Sequence, residues 1–433
     1  MVAQFPRLLI GVALLAAAPV AAQEFVAAPG RAVCRGENGY ANAEGAPRTF
    51  LWRAEWLAQA RARAQADPDF AQALRKKADA ALARGPYSVT HKTALPAGGS
   101  RNDYYSIGPY WWPSPGKRGG LPYERRDGKV NPESRDNTFD KDRIGKFAND
   151  VTDLAIGWHV LGDRRYAAHA AALLRTWFLD PTTRMNPNLN YGQAVPGRSS
   201  GRAEGVIELR ALQPVVEAIG LVGTAEVLAP EEQAGLEAWF GQMVQWLATS
   251  PIGRTERSKS NNHGLYFDAL LMQFALFARL EPVARHVATE WPARRIDIQF
   301  GADGGLPAEH KRTRSLHYSF FALEAAAQVA GLAECVGRDL WRARGANGVG
   351  LEQALAFHTP FAAQPGSWRH PEQALTRGVA TPALRMQMAR PLRLAAWGYA
   401  EPSYEAAANG LSPGESAVTD WLSTQMPATS EEE

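Results

Sequence analysis

From Phe50 to about Ala83, alanine, leucine and tryptophan recur at helical spacing among charged residues, and Ala66-Asp67-Pro68 interrupts the series. This predicts two consecutive helices, because apolar residues three and four apart share a helical face and the proline opens a new turn. From Gly85 to about Arg135 the period fails, and the chain becomes rich in Gly, Pro, Tyr, Trp and Arg. So long an irregular stretch in a compact domain is usually functional or disordered, and its aromatic content argues against disorder. After Thr138 the helical period returns over 139–162, 165–179, 203–222, 230–249, 262–278, 281–297, 314–332, 348–363 and 371–387. Valine and isoleucine are sparse in these segments and strand-like alternation is hard to find, so an all-α chain is expected. Several helices are joined by few residues, which favours antiparallel hairpins. Others are separated by Gly- and Asn-rich loops over 185–202 and 301–315. A ring of hairpins with its long loops on one face accounts for this alternation; a plain bundle does so equally, and no strict repeat separates the two.

The N-terminus adds a different pattern. Arg7 precedes the apolar run LLIGVALLAAAPV and then Ala-Ala-Gln, so residues 1–22 read as a signal peptide and the working chain begins near Gln23. No other stretch is apolar and long enough to span a bilayer, and no cysteine follows the cleavage pattern. A periplasmic or secreted protein without membrane insertion is expected. The remaining 23–433 read as a single domain, because folds of repeated hairpins reach this length around one core. The formal charge of +3, about +2 without Arg7, is too slight for a nucleic-acid partner. Cys34 and Cys335 are the two cysteines. One disulfide and two buried thiols are both open readings, since separation in sequence says nothing about separation in space.

Four segments carry candidate chemistry. In RNDYYSIGPYWWPSP, residues 101–115, Tyr104, Tyr105, Tyr110, Trp111 and Trp112 lie among prolines and arginines. They read either as rings plugging a gap between helices or as a wall that stacks on sugar rings. Arg125 and Arg126 suit an acidic sugar, because guanidinium matches carboxylate in a two-pronged fork. The loop NPNLNYGQAVPGR supplies Asn188, Asn190, Tyr191 and Gln193 as neutral hydrogen-bonding groups, which a plain turn would also use. In SKSNNHGLYFDALL, Asn261 or Asn262 reads as a helix cap, and His263 beside them reads as structural or functional. Arg312, Arg314, His317 and Tyr318 open a helix, where basic residues oppose the macrodipole and call for an anion nearby. Glu309 supplies one internally; a bound carboxylate is the sharper reading.

Taken together, SNNHGLYFDALL, PAEHKRTRSLHYSFFALEAA, DYYSIGPYWWPSP and NLNYGQAVPGR resemble the alginate lyase superfamily of α-helical toroid polysaccharide lyases, over roughly residues 85–335. The run Arg312-Thr313-Arg314-Ser315-Leu316-His317-Tyr318-Ser319 is closer to the branch that holds alginate and glucuronan lyases. The resemblance implies an (α/α) toroid, an incomplete barrel of helical hairpins with long active-site loops on one face. It also implies β-elimination on a uronic-acid polymer: Asn262 and His263, assisted by Arg312, neutralise the substrate carboxylate, and Tyr318 transfers the proton. Arg312 rather than Arg314 matches the motif's arginine. Tyr104, Tyr105, Tyr110, Trp111, Trp112, Arg125, Asn190, Tyr191, Gln193, Asn261 and Arg314 are the expected substrate contacts, with Asp103 and Asn188 as further candidates and His317 as structural. The implied partner is an anionic polysaccharide, the chemistry calls for no metal or cofactor, and oligomeric state is left open.

Elimination needs the charge on the carboxylate neutralised, the C5 proton removed and the leaving O4 protonated. A free tyrosine loses its proton near pH ~10, so a basic Tyr318 calls for positive charge close by. One tyrosine serves both proton transfers when the C5 hydrogen and O4 are syn, as in β-mannuronate and β-glucuronate; in guluronate they are anti, and His263 becomes the base. Two rival readings are a glycoside hydrolase using carboxylates such as Asp268, Asp303 or Glu309, and a noncatalytic uronate-binding protein, which would not require Tyr318.

Overall fold

The computed structural model describes residues 23–28, 30–41 and 46–411; the expected signal peptide, 1–22, lies outside them. The two helices expected at the start are α1 (Ala54–Ala66) and α2 (Pro68–Leu82). Asp67 ends the first and caps the second, its side chain accepting from the Phe70 amide, while Pro68 takes the first helical position, where no donor is lost. There follow α3 (Lys141–Leu161), α4 (Arg164–Leu174), α5 (Gln213–Gly223), α6 (Pro230–Thr249), α7 (Pro251–Arg257), α8 (Asn262–Phe277) and α9 (Glu281–Trp291). The single turns α10 (Asp297–Gln299) and α11 (Pro307–His310) lead to α12 (Ser315–Cys335), α13 (Leu351–Ala363), α14 (Pro382–Tyr399) and α15 (Pro402–Leu411).

Helices α3, α5, α8, α12 and α14 pack in succession as an inner ring, backed by α2, α4, α6, α9, α13 and α15. The apolar pattern explains the division. Leu265 to Phe277 of α8 are all buried, as are most residues of α12, whereas α2 and α4 show one buried stripe. A helix apolar all round must be surrounded by others; one with a single stripe lies on the outside. The ring closes where Trp56 of α1 meets Trp397 of α14 edge-on, centroids 5.5 Å apart. Beside this seam, buried Arg53 pairs with Glu334 of α12 at 2.6 Å. The result is an (α/α) toroid of helical hairpins.

Four small strand pairs decorate the ring. β2 (Tyr105–Ile107) runs parallel to β5 (Tyr191–Ala194), β3 (Trp111–Trp112) pairs with β4 (Glu124–Arg125), and β7 (Leu375–Thr376) with β8 (Val379–Ala380). β1 (Gln23–Glu24) pairs with β6 (Arg338–Asp339), close to a disulfide between Cys34 and Cys335. The N-terminal arm is thereby fastened to the end of α12.

Three helical expectations are corrected. Residues 371–381 form the β7–β8 hairpin with Gly378 in the left-handed region, and the helix starts only at Pro382, where Thr381 caps it; it then runs on to Tyr399. The segment 203–222 begins as a 3₁₀ helix, Ala203–Leu212, before α5. In 281–297, Pro292 lacks the amide that would continue the ladder, and residues 292–296 widen into a π turn.

Candidate active site

The site is built where the long loops meet the N-terminal ends of the inner helices. Asn261 caps α8, its side-chain oxygen accepting from the His263 amide at 3.2 Å, so the next two residues are the first of the helix. Gly264 follows because a Cβ there would collide with the Lys259 carbonyl and the Arg295 guanidinium. Asn262 is buried, and its backbone amide and Nδ2 both donate to the buried carboxylate of Glu309 on α11, at 2.6 and 2.9 Å. Burial raises the Glu309 pKa, although these donors and Arg312 oppose the shift. His263 turns the other way and meets buried Glu256 of α7, Nδ1 to Oε1, at 2.5 Å.

Arg312 follows α11 and lays its guanidinium over the Tyr318 ring, 3.8 Å from the centroid. Contact at this range is a cation–π interaction. Arg314, by contrast, caps α12 with its backbone bridged to Glu372, and its carbonyl accepts from the Tyr318 amide. The arginine on the tyrosine ring is therefore Arg312. The Tyr318 hydroxyl lies 2.8 Å from that of Tyr110, and Asp127 reaches Arg312 at 3.5 Å and Thr313 at 3.2 Å. Both Tyr110 and Asp127 come from the aromatic loop, which thus folds over the catalytic candidates. Burial, with Tyr110 adding to it, raises the Tyr318 pKa well above that of a free phenol; Arg312 pulls it down but does not prevail. The resting Tyr318 is a protonated phenol. His317 is half-buried, and burial, with Arg314 adding to it, lowers its pKa to about 4.

The other expected contacts separate into two groups. Trp111 is half-buried with Arg198 and Arg202 at 5.6 and 5.8 Å from its ring, and Arg126 lies 5.4 Å from the Trp112 ring. Arg125 is exposed and pairs with Asp127 at 2.6 Å. Gln193 sits in the left-handed region, with its side-chain oxygen accepting from Arg202 at 2.6 Å. Asn190 accepts from the Trp246 indole at 2.9 Å, and Tyr191 aligns with Tyr105 across the parallel pair. Asn188 holds the loop by accepting from the Asn190 amide, and Asp103 accepts from Asn186 and Ser100.

Tyr104 and Tyr105 do not join the wall. Tyr104 is 1% exposed and donates to buried Glu208 at 2.8 Å, and Tyr105 packs edge-on against Phe139, centroids 5.2 Å apart. Both rings anchor the loop, one through Glu208 and the other through Phe139, and leave the display to Tyr110 and the tryptophans beyond it. Sequence reading also missed Glu256, Asp127 and Arg202. Glu256 lies seven residues before His263 across a helix break, a spacing that signals nothing without the fold.

The three carboxylates considered for hydrolysis are all committed elsewhere. Asp268 forms a buried ion pair with Arg295 at 2.6 Å, Asp303 accepts from the Gly305 amide at 2.9 Å, and Glu309 is held by Asn262. No group of three or more His, Cys, Asp or Glu side chains among the described residues is arranged to hold a metal ion.

The alginate lyase family model matches residues 88–368. Among solved structures, an alginate lyase from Bacteroides ovatus superposes with a TM-score of 0.82 at 32% identity, over 88% of this chain and 100% of that one. Alginate lyase A1-III from Sphingomonas species A1 matches with a TM-score of 0.45 at 16% identity, over 82% of this chain and 95% of that one. No curated protein matches the sequence. With the family model covering more than half of the chain and a structural relative spanning nearly all of it, this protein belongs to the alginate lyase family and is a polysaccharide lyase acting on uronate polymers.

Proposed function

We propose that this lyase is exported and cleaves β-1,4-linked mannuronate or glucuronate polymers by β-elimination, leaving a C4=C5 double bond in the product. The observation that carries the reading is the placement of Arg312 on the face of Tyr318, with Glu309 linking Arg312 to the Asn262–His263 step. In this scheme Arg312 and His263 balance the charge that builds on the substrate carboxylate as C5 loses its proton, as donors aimed at a developing oxyanion do. Asn262 holds the Glu309 carboxylate at this step, its backbone amide donating to one oxygen and its Nδ2 to both. Tyr318 takes the C5 proton after ionising, a state that Arg312 favours, and then protonates the departing O4. A single group serving both transfers suits the syn geometry of mannuronate and glucuronate. Export is supported by the leader pattern of residues 1–22 and by the disulfide, which persists in oxidising compartments.

The test is a panel of polymannuronate, glucuronan, polyguluronate and polygalacturonate, followed by the ultraviolet absorbance of the new double bond. Elimination is expected on polymannuronate or glucuronan, little on polyguluronate, and none on polygalacturonate, whose axial O4 changes the geometry at the scissile bond. Polyguluronate as the best substrate in side-by-side initial rates would sink the tyrosine-only route.

A further inference from the structure

His263 is held by a group that the reaction scheme leaves unassigned. Glu256 is buried at the end of α7, and its Oε1 lies 2.5 Å from His263 Nδ1. Its Oε2 is buried and has no hydrogen-bond partner among the described residues. A carboxylate shut away from water is costly unless a cation or strong donor meets it. The nearby charges are largely spent on one another: Lys259 pairs with Glu204 at 2.9 Å, and Arg295 with Asp268 at 2.6 Å. Arg257, the next residue, pairs with Glu290 at 2.9 Å. Arg202 lies within electrostatic range of Glu256 but donates to Gln193 and pairs with Glu204 at 3.5 Å, and Glu309 acts on His263 from the Asn262 side. The imidazole of His263 is the partner left to Glu256.

We infer that Glu256 is a positioning residue for this lyase: it holds a proton on His263 Nδ1 and turns the ring so that Nε2–H serves as a cationic donor to the uronate carboxylate. A hydrogen bond at one ring nitrogen sets the protonation and direction of the other, the arrangement that carboxylates impose on histidines at metal sites. The consequence is a division of labour. Nδ1 cannot take a proton from the substrate, and Nε2 already carries one, so His263 stabilises charge and Tyr318 alone moves the C5 proton. This rests on the elimination reading above.

The experiment uses the mature chain and its Glu256→Gln and Glu256→Asp variants, with thermal melts to verify folding. Nitrogen NMR on histidine-labelled protein should show His263 Nδ1 protonated in the parent, whether or not the protein turns over a given polymer. Glu256→Gln should lower kcat about 10- to 100-fold, as loss of a partner that orients an active-site histidine does. The Nδ1 signal should change in Glu256→Gln, and Glu256→Asp, which keeps the carboxylate, should recover part of both the rate and the signal. Parental kcat in Glu256→Gln overturns the inference. So does a loss of rate with an unchanged Nδ1 signal, which marks a packing role, or a parent whose Nδ1 carries no proton. If the parent fails on every polyuronate, the elimination reading falls instead, and the NMR result still decides the Nδ1 proton. Should Glu256→Gln not fold, Glu256→Asp and the NMR measurement decide alone.

Discussion

Replacing Tyr318 by phenylalanine tests the proton-transfer assignment with little else disturbed. The ring stays, so the Arg312 guanidinium keeps its seat 3.8 Å from the centroid, and what is lost is one hydroxyl and its 2.8 Å bond to Tyr110. A hydrogen bond of this kind contributes about 1 kcal/mol net, and the half-buried Tyr110 can turn its hydroxyl to water, so the melting temperature should fall by only a few degrees. Turnover should respond on another scale. Removing a group that moves protons in the transition state costs roughly 100- to 10,000-fold, or about 3 to 5 kcal/mol of barrier. Initial rates followed by double-bond absorbance, beside calorimetric binding of an intact oligosaccharide, separate the two effects. The expected result is nearly parental binding with turnover reduced at least a hundredfold. A folded variant that retains a tenth or more of the parental rate would refute the argument, because among the described residues Tyr318 is the phenol whose ring carries the Arg312 guanidinium.

Two further predictions follow from protonation. Because burial and Tyr110 hold the Tyr318 phenol protonated while the base step needs it ionised, kcat should rise as pH increases above neutrality; Tyr110→Phe, which removes an influence that raises the phenol's pKa, should start that rise at lower pH, and a pH–rate series on both proteins checks it. Glu217 is fully buried, and its carboxylate is pushed up to about 7 by burial, even though the amides of Phe50, Leu51 and Trp52 donate to it. Between about pH 4.5 and 7 the folded chain holds this proton while the unfolded chain releases it, so stability should decline by about 3 kcal/mol across that window. Urea titrations at its two ends, compared with Glu217→Gln, should show the slope in the parent and a flatter line in the variant.

Much of the architecture was legible because helices leave a period in the sequence. Eight of the nine segments after Thr138 contain helix where the pattern puts it, and the caps at Asp67 and Asn261 are of the kind their residue types favour. The failure at 371–387 is instructive: its apolar spacing is helical, but the register of the β7–β8 hairpin against Arg314 and Thr313 is a long-range choice that no local window contains. The four quoted motifs named the family and brought Asn262, His263, Arg312 and Tyr318 into view, since these residues sit on short runs at loop–helix junctions.

What only the folded chain decided is which charge meets which. Spacing left Arg312 and Arg314 as equals; the turn after α11 sets Arg312 on the tyrosine, while the hairpin draws Arg314 away. The aromatic loop read as one wall, yet the β2–β5 pairing buries Tyr104 against Glu208 and sends Tyr110 to the Tyr318 hydroxyl. Glu256 and Glu309 looked like ordinary acidic residues until helix packing removed water from both and left each with one neighbour of the Asn262–His263 pair. The sequence by itself determines the helices, the caps and the kinds of side chain present, because those depend on neighbours in the chain. Proton positions and ion pairing depend on burial and on approaches across the ring, and these exist only once the toroid has closed.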